Sequence, residues 1–182
     1  METGKFLKFL DVLTMRHDPY ENGHAENSAI LMKGLAEATG YPKSKLEDLL
    51  LATRLHDVGK LLIPENILNK QGKLTVEEIA AIHRHSLIGY DAVLALNLNP
   101  IISQAILEHH ENWDGTGYPY GLRGEKICIE ARMIAICDSF EALTSNRSYR
   151  LALDSKSALE IMGKMGLDPD LFEIFVKKVV QL

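Results

Sequence analysis

The sequence is poor in cysteine, and its two cysteines are badly placed for a disulfide. Cys128 and Cys137 lie nine positions apart in one helical pattern. They are therefore roughly half a turn out of phase, which does not suit a bridge within that helix. We interpret both as buried thiols in a reducing cytoplasm.

Net positive charge and long apolar runs are also missing. The formal net charge of -5 leaves no broad basic face, so we expect no binding to duplex nucleic acid or to an anionic membrane. The longest charge-free apolar stretch, residues 92–107, contains Asn97, Asn99 and Pro100, where a membrane span would break. The sequence predicts a soluble protein whose anionic ligands must meet local positive charge.

Apolar residues at helical spacing are abundant. They make up much of the 46% hydrophobic content of a 182-residue chain, enough for the core of one domain. No segment shows the sustained two-residue alternation of a half-buried strand. We therefore predict an all-α fold, a compact helical bundle that spans residues 1–182 as a single domain.

Start and stop signals position the predicted helices. One runs over residues 24–39, and the next continues from the leucines after Pro42 to about Val58 and ends at Gly59. Thr75 and Glu78 form a capping box for a helix that carries His85. The other predicted helices are an N-terminal one (Phe6, Leu7, Leu10, Leu13), one over 129–144, and three that begin near Asn99-Pro100, Ser155 and Asp168-Pro169.

Two adjacent pairs of metal-binding residue types, His56-Asp57 and His109-His110, lie at predicted helix ends. Neighbouring helical residues point about 100° apart, so such a pair suits two ions lying side by side better than one. A carboxylate from Asp57 can bridge both ions, and this mixed N/O set favours Fe, Mn or Zn over Mg or Ca. The pattern predicts a dinuclear site for phosphate-ester hydrolysis. The candidate ligands are His24, His56, Asp57, His85, His109, His110 and Asp138.

Three cations near these ligands can supply the local positive charge. Lys60 follows Asp57 by three positions and would share its face on a continuing helical turn. Arg147 and Arg150 come just after Asp138 and carry guanidinium groups suited to phosphate. Each feature alone also fits solvated charge or a common dipeptide. The metal-site interpretation depends on all of them occurring together, with the ligands on different predicted helices.

Longer motifs surround these residues. They are His56-Asp57-Val58-Gly59-Lys60 and the segment from His109 to Pro119, which reads HHENWDGTGYP; shorter motifs begin at Asp18, His85 and Asp138. With them the chain resembles an HD-GYP domain, a subgroup of the HD phosphohydrolase superfamily, over about residues 16–180.

The resemblance implies a phosphodiesterase that opens cyclic di-GMP to linear pGpG, and onward to GMP in some members, with 3′,3′-cyclic GMP-AMP as another substrate. It implies one metal held by His24, His56, Asp57 and Asp138, and a second held by Asp57, His85, His109 and His110. Asp57 and Lys60 would be catalytic, with Lys60 beside the bridging hydroxide. Substrate would also meet Arg147, Arg150 and Tyr118.

Two positions depart from the family pattern. Members with a third metal carry a glutamate four residues before the first histidine, where this chain has Tyr20. An arginine common three residues after that histidine is replaced by Asn27. We therefore expect two divalent ions, Fe or Mn, with Zn or Ni as alternatives.

Two alternative functions stay open. The site could hydrolyse another cyclic dinucleotide or nucleotide phosphoester. The chain could instead be a non-catalytic binding domain, since the Gly-Tyr-Pro loop in this family resembles a contact surface for diguanylate cyclases.

Of the other histidines, we expect His83 to face solvent, about 200° from His85 on a helix, and His17 to lie on the surface.

Overall fold

The computed structural model describes residue 5 and residues 9–10, 12–13, 16–17, 23–146 and 151–181. No strand occurs among these residues, which confirms the all-α prediction. The α-helices are α1 (His24–Thr39), α2 (Leu46–Leu55), α3 (Glu65–Leu68), α4 (Val76–His83), α5 (His85–Leu94), α6 (Pro100–Glu108), α7 (Ile129–Thr144), α8 (Ser155–Met162) and α9 (Pro169–Ile174). Lys43–Lys45, Val58–Leu62 and Gly124–Lys126 are 3₁₀ turns, and Phe175–Val180 is a π-helix.

Several helix ends lie where the sequence predicts them. Helix α1 ends at Gly40, which adopts the left-handed conformation with a φ of 68°. Both bonds of the capping box between Thr75 and Glu78 are present at the start of α4. Asn99 and Asp168 cap α6 and α9 by accepting hydrogen bonds from backbone amides of the first turn.

Three predicted helix boundaries were wrong or lie outside the described residues. Helix α2 ends at Leu55 rather than near Val58, because the chain tightens into a 3₁₀ turn that brings Gly59 against the backbone of His85. The helix that begins after Thr75 ends at His83, so His85 belongs to the next helix. Of the predicted N-terminal helix, Phe6 and Leu7 are outside the described residues.

Helix α6 lies at the centre of the bundle and packs against α2, α5 and α7, while α1 packs against α2 and α7. Met32, Leu35, Leu49, Ile106 and Ile134 are fully buried at these contacts. Burying a side chain of this kind stabilises the fold by about 1.5–3 kcal/mol. The packing brings together the first residue of α1, the end of α2, the start of α5 and the end of α6.

The cysteines are unpaired, and only Cys137 is fully buried; Cys128 is partly exposed, which corrects the prediction for that residue. Burial raises the pKa of the Cys137 thiol. In the described part of the chain, no helix combines the length and the apolar character that crossing a membrane requires.

Candidate metal centre

His24 and His56 form one half of the site. His24 is the first residue of α1 and His56 directly follows α2, and both are buried. Their Nε2 atoms lie 3.4 Å apart. The Nε2 of His24 is 3.2 Å from Oδ1 of Asp138, in the middle of α7, and the Nε2 of His56 is 3.3 Å from Oδ2 of Asp57. Four donors therefore converge on one volume, two from helices α1 and α7 and two from the turn that follows α2.

His85 and His109 form the other half with the second oxygen of Asp57. The Nε2 of His85 lies 3.2 Å from Oδ1 of Asp57 and 3.2 Å from the Nε2 of His109. The Nε2 of His109 is 3.8 Å from the same carboxylate oxygen. The ring of His110 is tilted against that of His109, with the centroids 4.0 Å apart.

Backbone carbonyls set the tautomer of three of these imidazoles. The Nδ1 atoms of His56, His85 and His109 lie 2.7, 2.7 and 2.6 Å from the carbonyl oxygens three residues earlier. A carbonyl can only accept, so each Nδ1 carries the proton and donates it. In the neutral ring the Nε2 lone pair is then directed into the site, as metal coordination requires.

Asp57 shows why the site fits cations. Its Oδ2 faces His56 and its Oδ1 faces His85 and His109, yet Oδ1 is buried without a hydrogen-bond partner among the described residues. An ionised oxygen buried in this way is costly unless a cation compensates it. Two groups have donor atoms within 4.8 Å of one another: one contains Asp57, His85, His109 and His110, the other His24, His56 and Asp57. The residues fit two divalent ions that share one carboxylate.

The electrostatics favour the metal-binding protonation state of four of the candidate ligands. Burial opposes the charge on Asp57, but the Lys60 ammonium and His56 outweigh it and hold the pKa of this carboxyl well below its usual range. Burial also opposes the charge on Asp138, yet His24 holds its pKa low. Burial lowers the pKa of His110 to about 3 and that of His109 well below its ordinary value, which favours the neutral ligand form.

Lys60 lies where the sequence predicts it, for a different geometric reason. Its Nζ is 2.7 Å from Oδ2 of Asp57. Residues three apart eclipse on a 3₁₀ helix, so the tight turn over Val58–Leu62 produces the contact that we expected from an α-helical turn. The predicted phosphate-binding residues Arg147 and Arg150, and Tyr20 at the third-metal position, lie outside the described residues.

Tyr118 lies over the second half of the site, and this corrects the prediction for His83. The Tyr118 ring stacks on His83 at a centroid distance of 3.7 Å and an interplanar angle of 7°. Its other neighbour is His110, at 4.8 Å. His83 therefore does not face solvent freely. His17 also differs from its prediction, because its side chain is only 17% exposed and its Nε2 is 2.7 Å from the carbonyl oxygen of Ile63.

Buried Glu111 holds the loop that carries Tyr118, and the sequence analysis missed it. Its carboxylate accepts hydrogen bonds from the backbone amides of Tyr120 (2.7 Å) and Leu122 (2.9 Å). Gly117 fits against the preceding chain because a Cβ there would lie 2.4 Å from the carbonyl oxygen of His110. The position of Glu111 directly after a histidine pair was the available clue.

Glu141 is the second missed residue. Its carboxylate is hydrogen-bonded to Nδ1 of His24, and it also accepts from Asn27 and Ser145. It lies one turn after Asp138 on α7, so the three-residue spacing on one helix face could have identified it.

Comparison with known proteins places these residues in context. The HD domain family model matches residues 10–171. The chain is 38% identical over 165 residues to a cyclic di-GMP phosphodiesterase of Pseudomonas aeruginosa, which covers 89% of this chain and 40% of that protein. It is 35% identical over 159 residues to 3'3'-cGAMP-specific phosphodiesterase 2 of Vibrio cholerae, covering 85% and 30%. The chain thus spans less than half the length of these relatives.

A solved structure has the same fold. It is that of an HDG"Y"P protein from Bdellovibrio bacteriovorus, with a TM-score of 0.68, 22% sequence identity, and coverage of 84% of this chain and 50% of that one.

Proposed function

The chain belongs to the HD domain family, and from this and the geometry of the site we propose that it is a metal-dependent phosphodiesterase that hydrolyses cyclic di-GMP to linear pGpG. The observation that carries the proposal is the division of donors around Asp57, whose two oxygens face different groups of histidines. The 38% identity to a cyclic di-GMP phosphodiesterase supports the substrate class. One HD-GYP domain over residues 1–182 stays a prediction.

We assign the ligands of two divalent ions to the two donor groups. One group is His24, His56, Asp57 and Asp138, and the other is Asp57, His85, His109 and His110. Imidazole and carboxylate donors without thiolate favour Fe or Mn, with Zn or Ni as alternatives. When bound, such ions supply Lewis acidity toward a phosphodiester and lower the pKa of water.

The protein's own groups then position the reactants. The ammonium of Lys60, 2.7 Å from Oδ2 of Asp57, is placed to donate a hydrogen bond to a phosphate oxygen or to the attacking water. Asp57 links the two halves of the site because Oδ2 faces His56 and Oδ1 faces His85. We propose Arg147 and Arg150 as further phosphate contacts. Tyr118, stacked between His83 and His110, forms a wall of the substrate cleft.

A second candidate substrate is 3′,3′-cyclic GMP-AMP. It is favoured by the 35% identity to a Vibrio cholerae phosphodiesterase specific for that dinucleotide. The two substrates differ in one base, so discrimination depends on contacts to purine edges rather than on the metal groups. Rates on cyclic di-GMP, cyclic GMP-AMP and mononucleotides, measured side by side, decide between them.

We also propose a location and a partner surface. Two unpaired cysteines fit a reducing cytoplasm, where cyclic dinucleotides would be encountered. The loop over residues 114–121 presents Tyr120, which is 63% exposed, and we propose this loop as a contact for a diguanylate cyclase. A Tyr120→Ala variant should lose cyclase binding in a titration while retaining hydrolysis. Equal binding by both proteins would remove this surface from the proposal.

The deciding experiment uses protein purified without oxygen and loaded with Mn²⁺ or Fe²⁺. Cyclic di-GMP should be converted to pGpG, identified by mass spectrometry. Asp57→Ala should lose both metal and turnover because the two oxygens of Asp57 face the two donor groups. Asp91→Ala, an exposed position on α5, is the matched control and should retain both. Full metal content without turnover of any cyclic dinucleotide would favour a non-catalytic binding domain.

A further inference from the structure

The histidines of the site differ in what holds their second ring nitrogen. His56, His85 and His109 donate from Nδ1 to backbone carbonyls. His24 instead has the carboxylate of Glu141 at its Nδ1. A carboxylate acceptor is charged where a carbonyl is neutral, so the first donor group contains an additional negative charge directly behind one of its ligands.

Glu141 is itself fixed by neutral donors. Its side chain is 5% exposed, and its Oε1 accepts from Nδ2 of Asn27 at 3.2 Å and from Oγ of Ser145 at 2.6 Å. Oε2 is therefore directed at His24 while Oε1 is anchored to α1 and to the end of α7.

Side chains of helix α7 contact both ring nitrogens of His24. Asp138 lies 3.2 Å from Nε2, and Glu141, one turn later, lies at Nδ1. Two carboxylates three residues apart on one helix face thus bracket a single imidazole. The arrangement leaves one orientation of the ring in which Nδ1 donates to Glu141 and Nε2 faces Asp138 and His56.

We infer that Glu141 is a positioning residue that fixes the tautomer of His24 and strengthens cation binding at the first donor group relative to the second. The inference rests on the metal assignment of the proposed function. An anionic partner behind a ligating imidazole orients the ring and raises its basicity, and losing such a partner typically weakens metal affinity by roughly 10–100-fold. At His56, His85 and His109 a neutral backbone carbonyl, rather than a carboxylate, accepts from Nδ1.

The test compares Glu141→Gln with Glu130→Gln. Both changes replace a buried glutamate of α7 by glutamine, which keeps an acceptor oxygen; Glu130 accepts from the hydroxyl of Tyr41 at 2.6 Å. Mn²⁺ binding is measured by calorimetry and by electron paramagnetic resonance, without substrate. Wild type and Glu130→Gln should bind two ions that are magnetically coupled. Glu141→Gln should bind one ion with unchanged affinity and the other roughly 10–100-fold more weakly, so that an isolated six-line spectrum persists at intermediate Mn²⁺.

Several results would overturn the inference: unchanged affinities in Glu141→Gln, equal weakening of both ions, or a wild type that binds three ions and loses one in the variant. The last result would make Glu141 a ligand. If Glu141→Gln fails to fold, Ser145→Ala provides the second variant, because it removes the shorter of the two hydrogen bonds to Oε1 and should weaken binding of the same ion to a smaller degree. If the protein binds two ions but hydrolyses no cyclic dinucleotide, the proposed activity is rejected. The role of Glu141 is still decided by the Mn²⁺ affinities of Glu141→Gln.

Discussion

Replacing Gly59 by alanine should separate the two halves of the site. An ideal Cβ at Gly59 would lie 1.9 Å from the carbonyl oxygen of His85 and 2.7 Å from the amide nitrogen of Gly89. Both obstacles are backbone, so no side chain can rotate away. To reach a tolerable contact of 3.0–3.4 Å, the turn after Asp57 and the start of α5 must move apart by about 1.1–1.5 Å.

That displacement acts on the contact between His85 and Asp57. Their Nε2 and Oδ1 atoms are 3.2 Å apart, and the shift would move one of them away from the shared volume. A misplacement of about 1 Å at a reacting centre can reduce turnover by roughly 100-fold. Overpacking of this kind also costs about 1–3 kcal/mol, which corresponds to a Tm lower by roughly 2–12 °C in a domain of this size.

The assays are calorimetric unfolding, Mn²⁺ stoichiometry and turnover of cyclic di-GMP. Gly163→Ala is the matched control, because a Cβ there meets its nearest atom at 3.5 Å, an ordinary contact. The control should match the wild type in all three assays. If Gly59→Ala kept two ions and a wild-type Tm, the close packing of Gly59 against His85 could not be what positions the second donor group.

Three further predictions concern metal, pH and the loop. Mn²⁺ at 100 times its Kd should add about 2.7 kcal/mol per site to the free energy of unfolding, and EDTA should reverse this in a thermal scan; an unchanged Tm would contradict a folded-state metal site. The pH prediction applies in EDTA. Burial lowers the pKa of His110 to about 3 in the folded protein, so its ring stays neutral there, whereas the same ring in the unfolded chain takes up a proton below about pH 6.5. The stability that this difference provides above pH 6.5 is therefore lost on acidification. By pH 5 the loss from His110 is about 2 kcal/mol; His109 adds to it, and the raised pKa of His56 opposes it. Urea titrations of wild type and His110→Asn should show a shallower pH dependence in the variant, and equal slopes would refute the assignment. Glu111→Ala removes the acceptor of two loop amides and should raise KM more than it lowers kcat, with metal content unchanged; a lost ion would show a role beyond the loop.

Much of the fold could be predicted because its local signals agree with the tertiary packing. Helix α1 begins at His24 and ends before Gly40, as the apolar pattern and the terminal glycine indicate. The capping box at Thr75 forms as predicted because its two hydrogen bonds are local. The adjacent pairs His56-Asp57 and His109-His110 also lie at helix ends, where the side chains of two neighbouring residues can point in different directions.

The errors arise where helical phase is interrupted. We predicted that His83 faces solvent by counting 100° per residue back from His85, but the helix ends at His83 and the count restarts in α5. The ring of His83 can therefore stack on Tyr118, which comes from a loop 35 positions later in the chain. Glu141 was missed for a related reason. Its three-residue spacing from Asp138 indicates a shared helix face, but its partner His24 is 117 positions away and is brought to it by the packing of α1 against α7.

The most direct test of the account is anomalous diffraction at the manganese edge from crystals of the Mn²⁺-loaded protein. We predict two anomalous peaks, one in the group that contains His24, His56 and Asp138 and one in the group that contains His85, His109 and His110, with Asp57 a ligand of both. A single peak, or two peaks of which only one lies beside Asp57, would contradict the shared-carboxylate centre on which the proposed activity depends.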